Sequence, residues 1–170
     1  MLPERLETER LILRPISRSG APAIFVGYAQ DPEVVRYVSW HPHQRLSDTE
    51  TYIVLCLAAP TDLARTYAPV GRAEGRLLGA FHLRRTELHR VDCGYVLTRP
   101  LGRRGLMTEA LAAAARWAIG EPDIGRCAIP KTLPRRESWK RPASLARAFC
   151  SAGWSIPMSA PSRATASATP

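Results

Sequence analysis

A short basic turn followed by a helix-forming segment is the part of this sequence best suited to chemistry. Residues 99–105 read Arg-Pro-Leu-Gly-Arg-Arg-Gly. A helix that starts here presents unpaired backbone N–H groups and a partial positive charge, which together bind phosphate groups. Gly105 allows a close approach to an anion, Arg103 and Arg104 add positive charge, and Thr108 supplies a hydroxyl. The pattern is typical of a pyrophosphate site, and the same residue types are also found in turns that only face solvent.

The elements that position this turn are predicted from the periodicity of apolar residues. Four segments have the patterning of β-strands: 10–16, 66–70, 76–84 and 91–97. The second and third of these strands are predicted to form a hairpin, because the loop at 71–75 has glycine at both ends. Apolar residues three and four positions apart predict a helix over 106–118. The basic turn therefore lies between a strand and the start of a helix.

Two further helices are predicted between the first and second strands. Asp31 is the candidate N-cap of a short helix, with Pro32 at its first position, where a missing N–H does no harm. Ser47 and Glu50 have the spacing of a capping box at the start of a longer helix that ends before Pro60. The order of strand, two helices, three strands and helix predicts a single α/β (α+β) domain.

Two motifs around the turn resemble the acetyl-CoA signature of GNAT N-acetyltransferases. They are Gly-Tyr-Val-Leu-Thr-Arg-Pro at 94–100 and Arg-Gly-Leu-Met-Thr-Glu-Ala at 104–110. The branch that they resemble contains the ribosomal-protein N-terminal acetyltransferases. Residues 9–15 resemble the opening strand of that branch, and 31–34 and 75–79 its substrate-side helix and central hairpin. The resemblance covers about residues 5–126.

The resemblance implies the GNAT fold, a mixed and mostly antiparallel central sheet with flanking helices, and acetyl-CoA as cosubstrate. It assigns acetyl-CoA binding to Val96, Leu97, Arg103, Arg104, Gly105, Leu106, Met107 and Thr108. It also implies that a primary amine, at a protein N-terminus or in a small molecule, attacks the thioester directly. Backbone N–H groups near Val96 and Leu97 would hold the oxyanion. No catalytic side chain is assigned.

The turn departs from the family pattern, which has Gly-x-Gly, because residues 102–105 read Gly-Arg-Arg-Gly. The first glycine is displaced by one position, so Arg103 carries a side chain where a close backbone approach is expected. Two titratable residues near the signature are candidate bases, His82 and Glu109. Their positions in a strand and in the first helical turn favour structural roles.

An acceptor pocket is an alternative role for a second group of residues, Trp40, His41 and His43. The interpretation that we favour for them is a packed tryptophan with solvated loop histidines.

Length and composition restrict the class of protein. A chain of 170 residues fits one domain with a single core, and no apolar stretch approaches the ~18 residues of a membrane span. The N-terminus has no signal-peptide pattern, so a cytoplasmic location is the default. The four cysteines lack the spacing of a zinc site or disulfide framework, and no metal is expected.

The net charge of +9 belongs mainly to the C-terminal part of the chain. Residues 1–124 carry a net charge of +2, and residues 125–170 carry +7 with Glu137 as the only acid. A basic segment of this kind binds nucleic acid in some proteins, but no aromatic interleaving or nucleic-acid motif accompanies it here. A basic-tailed nucleic-acid-binding protein remains an alternative to an enzyme.

The segment 127–170 is predicted to be a basic, Pro/Ser/Ala-rich tail that is disordered or out of frame, after a GNAT domain at 1–126. The family motif Asn-x-x-Ser-x-x-Val-Leu-Glu-x-x-Gly-Phe is missing, but it can be spelled by reading the tail two nucleotides later. The codons of Trp139 and Lys140 then force Glu. A frameshift near 126–128 would remove the C-terminal strands and helix and leave an incomplete domain. A non-catalytic, truncated relic is therefore the second alternative to an enzyme.

Overall fold

The computed structural model describes residues 1–36, 38, 40–87, 89–124 and 126–128. Its centre is a β-sheet whose strands follow one another in chain order. They are β1 (Leu6–Glu7), β2 (Leu11–Pro15), β3 (Ala64–Gly71), β4 (Gly79–Glu87), β5 (Arg90–Leu97) and β6 (Arg126–Ala128). All neighbouring pairs are antiparallel except β5 and β6, which are parallel. This mixed, mostly antiparallel sheet confirms the predicted fold class.

Helices cover both faces of the sheet. They are α1 (Ala21–Ile24), continued by a π-helical segment at Phe25–Ala29, α2 (Pro32–Val35), α3 (Leu46–Ala58) and α4 (Leu106–Gly120). One core cluster joins α4 to side chains such as Phe81 and Val91. The other joins α1 and α3 to Ala80 and Val96. Because side chains alternate along a strand, β4 and β5 contribute to both clusters.

The long helix α4 packs as the sequence predicts. Ala110, Ala114 and Ala118 are buried, and Leu111 and Trp117 pack against the same core cluster. Their spacing of three and four residues places them on one face of the helix, where small alanines allow a close approach to the sheet. This packing fixes the N-terminus of α4 beside the end of β5.

The predicted hairpin and its loop are also present. Tyr67 of β3 pairs with Phe81 of β4, and Gly75 in the connecting loop has φ 63. At the start of β4, a Cβ atom on Gly79 would lie 2.0 Å from the carbonyl oxygen of Val96. Only glycine allows β4 to approach the end of β5 this closely.

The two predicted helix starts have different outcomes. Asp31 caps α2 as predicted, its side chain accepting a hydrogen bond of 2.9 Å from the backbone N–H of Glu33. The capping box at Ser47 and Glu50 is wrong by two residues. Asp48 accepts from the N–H groups of Gln44 and Arg45 instead, so α3 begins at Leu46. A shorter carboxylate placed one turn inside the helix reaches these amides.

The prediction that the strand after α4 is missing is corrected for its first three residues. Arg126–Ala128 forms β6, which pairs in parallel with the first residues of β5 in the register Arg90↔Arg126 to Asp92↔Ala128. The predicted tail begins at 127 and the predicted frameshift lies near 126–128; what both imply for residues 129–170, including the missing helix, lies outside the described residues.

Candidate functional site: the turn between β5 and α4

The turn from β5 to α4 contains two residues in the left-handed region of backbone conformation. They are Arg103, with φ 65, and Gly105, with φ 75. Glycine adopts this region without strain, whereas a residue with a Cβ atom does not. The displaced glycine noted in the sequence thus leaves Arg103, not Gly102, at a position whose backbone conformation favours glycine.

The N-terminus of α4 presents backbone donors that no side chain occupies in the described part of the chain. Gly105 is the N-cap and offers no capping side chain. The N–H groups of Leu106, Met107 and Thr108 precede the first helical hydrogen bond, which Glu109 donates to Gly105 at 3.0 Å. Three unpaired amides with a positive helix end form an anion-binding geometry.

The side chains around these amides divide into core and solvent groups. Leu106 and Met107 are buried in the core, so only their backbone atoms face the turn. Arg103, Arg104 and Thr108 are exposed. The structure therefore brings together the predicted residues 103–108, with two guanidinium groups and one hydroxyl on the solvent side.

Glu109 connects the start of α4 to Arg10, the residue before β2. Its carboxylate accepts from the backbone N–H of Arg10 at 2.8 Å and from the Arg10 Nε at 2.7 Å. Another nitrogen of that guanidinium donates to the carbonyl of Arg104 at 3.0 Å. Partial burial raises the pKa of Glu109, but hydrogen bonds from Thr8 and Arg10 more than offset this and lower it. These contacts agree with the structural role that its position in the sequence favours.

At the end of β5, one backbone N–H group points away from the neighbouring strand β4. The N–H of Thr98 donates to the carbonyl of Leu78 at 2.9 Å, towards the side of β4. The backbone N–H groups of successive residues in a strand point to opposite edges. The N–H of Val96 therefore also points towards β4, and the N–H of Leu97 points to the opposite edge. β6 pairs with β5 only at Arg90–Asp92, so no strand among the described residues reaches this amide. Of the two predicted oxyanion donors, the geometry favours Leu97.

An ion pair links the turn to the helices on the other face. Arg99, which directly follows Thr98, bonds to the carboxylate of Asp31 at the start of α2. The hydrogen bond to Arg99 is the main reason why the pKa of Asp31 lies below its usual value. The ion pair therefore connects the turn to the start of α2.

His82 lies in a hydrogen-bonded group on the face covered by α3. Its Nε2 is 3.2 Å from the hydroxyl of Tyr52, and its Nδ1 is 2.9 Å from that of Thr66. Burial lowers the pKa of His82 to about 4, so the imidazole is neutral at physiological pH. These contacts join α3, β3 and β4 and agree with the structural role that the sequence favours.

The residues of the alternative acceptor pocket differ in their exposure to solvent: Trp40, His41 and His43 do not share one environment. His41 is exposed, as expected of a loop histidine. His43 is 7% exposed, with its ring centroid 4.8 Å from that of Trp40 and its Nδ1 2.8 Å from the hydroxyl of Thr49, which corrects the expectation that it is solvated. Burial lowers the pKa of His43. The apolar environment given by Trp40 and Tyr52 explains the difference.

Sequence reasoning missed a pair of cysteines. Cys93 and Cys127 are 34 residues apart, yet their Sγ atoms lie 3.3 Å apart. The two cysteines are brought together by the parallel pairing of β5 with β6, and no pattern in the sequence predicts that pairing. Within the described ranges no three His, Cys, Asp or Glu side chains are arranged to hold a metal ion, and no helix is long and apolar enough to cross a membrane.

The end of β5, the glycine turn and the uncapped start of α4 lie together at one end of a mixed, mostly antiparallel sheet. A family model described as an acetyltransferase (GNAT) domain matches residues 10–150. The chain therefore belongs to the GNAT acetyltransferase family, whose members use acetyl-CoA. No curated protein matches the sequence.

Solved structures share the fold at low sequence identity. A GNAT-family acetyltransferase from Bacillus anthracis is 19% identical with a TM-score of 0.63, over 72% of this chain and 70% of that one. A GCN5-related N-acetyltransferase from Brucella melitensis is 16% identical with a TM-score of 0.64, over 74% of this chain and 60% of that one. The ribosomal alpha-N-protein acetyltransferase RimL in complex with coenzyme A is 19% identical with a TM-score of 0.64, over 74% and 73%.

Proposed function

We propose that this chain transfers the acetyl group of acetyl-CoA to a primary amine, using the turn at 102–105 and the start of α4 to hold the pyrophosphate. The observation that carries the proposal is the uncapped N-terminus of α4, with the amides of Leu106, Met107 and Thr108 unpaired beside two exposed arginines. A pyrophosphate supplies acceptors for such donors, and its charge complements Arg103 and Arg104.

The acetyl group would then lie at the end of β5. The N–H of Leu97 donates to the thioester oxygen and stabilises the negative charge that develops when the amine attacks. The neutral amine forms a bond to the carbonyl carbon, the C–S bond breaks, and the thiol of coenzyme A leaves with a proton. Direct attack in a ternary complex requires no covalent enzyme intermediate, so no nucleophilic side chain is needed.

Acceptor selection belongs to the face covered by α1, α2 and α3, which the ion pair between Arg99 and Asp31 connects to the turn. A protein N-terminus is a candidate acceptor because the fold resembles that of RimL. A small amine is the other candidate, since the fold alone does not select a substrate.

The proposal is tested by binding of coenzyme A and by release of its thiol from acetyl-CoA with peptide and small-amine acceptors. Replacing Arg104 with alanine is expected to weaken coenzyme A binding by about tenfold, which corresponds to the loss of one charge-assisted contact. Arg116→Ala is the matched control, because it removes the same charge from an exposed position of α4 and leaves affinity unchanged.

Two results contradict the proposal. Equal affinity in the two variants would show that the turn does not bind the phosphates. Binding of coenzyme A by the full chain without thiol release from any acceptor would identify a non-catalytic relic instead of an enzyme.

A further inference from the structure

Two thiols are placed to react with each other across the only parallel strand pair of the described sheet. Cys93 is in β5 and Cys127 in β6, and the pairing Val91↔Cys127 puts Cys93 two residues further along the neighbouring strand. Both side chains contribute to the core cluster under α4. The Sγ atoms are 3.3 Å apart, so a disulfide bond of about 2.0 Å requires them to approach by little more than 1 Å.

The two thiols differ in access and in acidity. Cys93 is fully buried, whereas Cys127 is partly exposed. The hydrogen bond from Cys93 lowers the pKa of Cys127, and the same bond with burial raises the pKa of Cys93. Because the thiolate is the reactive form, Cys127 is the cysteine that an external reagent reaches and reacts with first.

We propose that Cys93 and Cys127 form a reversible disulfide when the protein meets a small-molecule disulfide. The Cys127 thiolate attacks one sulfur of the reagent, forms a mixed disulfide and releases one small thiol. Cys93 then loses its proton, attacks the Sγ of Cys127 and releases the second small thiol. Two protein thiols are oxidised and one small disulfide is reduced to two thiols.

The bond would close a segment that contains the whole candidate site. The two cysteines are 34 positions apart, and the segment between them includes the end of β5, the turn at 102–105 and α4. Within the described residues, β6 pairs with β5 over Arg126–Ala128 alone. A disulfide therefore fixes β6 covalently beside β5. The inference does not depend on acetyl transfer, because it rests on the two sulfur atoms alone.

The experiment treats the reduced full chain with glutathione disulfide, blocks remaining thiols in denaturant with an alkylating reagent, and maps the peptides by mass spectrometry. Cys93 and Cys127 are expected to lose their alkyl labels together and to appear in one linked peptide that dithiothreitol separates. Cys56 is expected to stay labelled, because burial raises the pKa of its thiol and it lies on the other face of the sheet from Cys93 and Cys127. The oxidised protein is expected to melt at a higher temperature than the reduced one.

Variants identify the order of events. Cys93→Ser, or Cys93→Ala where serine prevents folding, is expected to stop at a stable glutathione adduct on Cys127. Cys127→Ser is expected to leave Cys93 labelled and unmodified, and the control Cys56→Ser to form the linked peptide as the wild type does. A wild-type protein that stops at the adduct on Cys127, or that links Cys127 to Cys56 or Cys150, overturns the proposal.

Discussion

Arg103 adopts a left-handed backbone conformation that costs about 1–2 kcal/mol for residues other than glycine. Its carbonyl and amide lie within the turn that leads to α4, so the strain is located at the candidate phosphate site. The sequence shows the displaced glycine but not its consequence, because a motif does not specify φ. Strain of this kind persists only where the surrounding structure holds the residue in place.

We expect Arg103→Gly to be more stable than Arg104→Gly by about 1–2 kcal/mol, since only the first substitution relieves a positive φ. Both variants lose one positive charge and add one glycine to the unfolded chain, so those effects cancel in the comparison. Unfolding by urea at neutral pH gives the two free energies. Equal stabilities would show that Arg103 is not strained.

At the scale of secondary-structure elements, His82 connects α3, β3 and β4 through Tyr52 and Thr66. An unfolded histidine titrates near its ordinary pKa of 6.5, whereas burial lowers the pKa of the folded His82 to about 4. Between these values the unfolded chain binds a proton that the folded chain does not. The contribution of neutral His82 to stability is therefore complete above pH 6.5 and is lost as the pH falls towards 4.

As the pH falls from 6.5 towards 4, we predict that the free energy of unfolding decreases more steeply for the wild type than for His82→Gln. The difference in slope is up to about 1.4 kcal/mol per pH unit. Urea unfolding at several pH values measures the difference. The matched control is His41→Gln, which removes an exposed imidazole instead. Parallel curves for His82→Gln and the wild type would show that burial does not lower the pKa of His82.

The same variant separates a structural role from catalysis. A general base contributes about 10²–10⁴-fold to the rate. Both ring nitrogens of His82 already have hydroxyl partners, so we expect His82→Gln to keep kcat/KM for acetyl transfer within about tenfold of the wild type. A larger loss with an unchanged fold would make His82 the base.

For the whole molecule, local patterns predicted the sheet, the hairpin and α4, because alternation, turn glycines and helical spacing act over a few residues. Contacts between distant segments escaped prediction. The burial of His43 and the pairing of Cys93 with Cys127 depend on how elements pack. The capping carboxylate of Asp48 is a local contact, whose register the pattern misplaced by two residues. The candidate site could be proposed from the sequence because residues 103–108 are contiguous. The sequence does not predict an acceptor site, because a site built from several elements leaves no contiguous motif.

Two observations on the C-terminal segment point in opposite directions. The family model continues to residue 150, past the predicted domain end at 126. The displaced reading frame nevertheless forces Glu from Trp139 and Lys140 and permits Val-Leu-Glu-Ala-Ala-Gly-Phe around it.

We predict that sequencing the coding DNA across codons 120–145 reveals an insertion or deletion of one or two bases. The chain translated in the restored frame should then extend β6 beyond Ala128 and cover the apolar surface beside β5. We therefore expect it to unfold at a higher temperature and to bind coenzyme A more tightly than the chain with the present tail. An intact frame would show that the tail is genuine. Acetyl-CoA turnover by the present chain, compared with a version ending at Ala128, would then measure what residues 129–170 contribute.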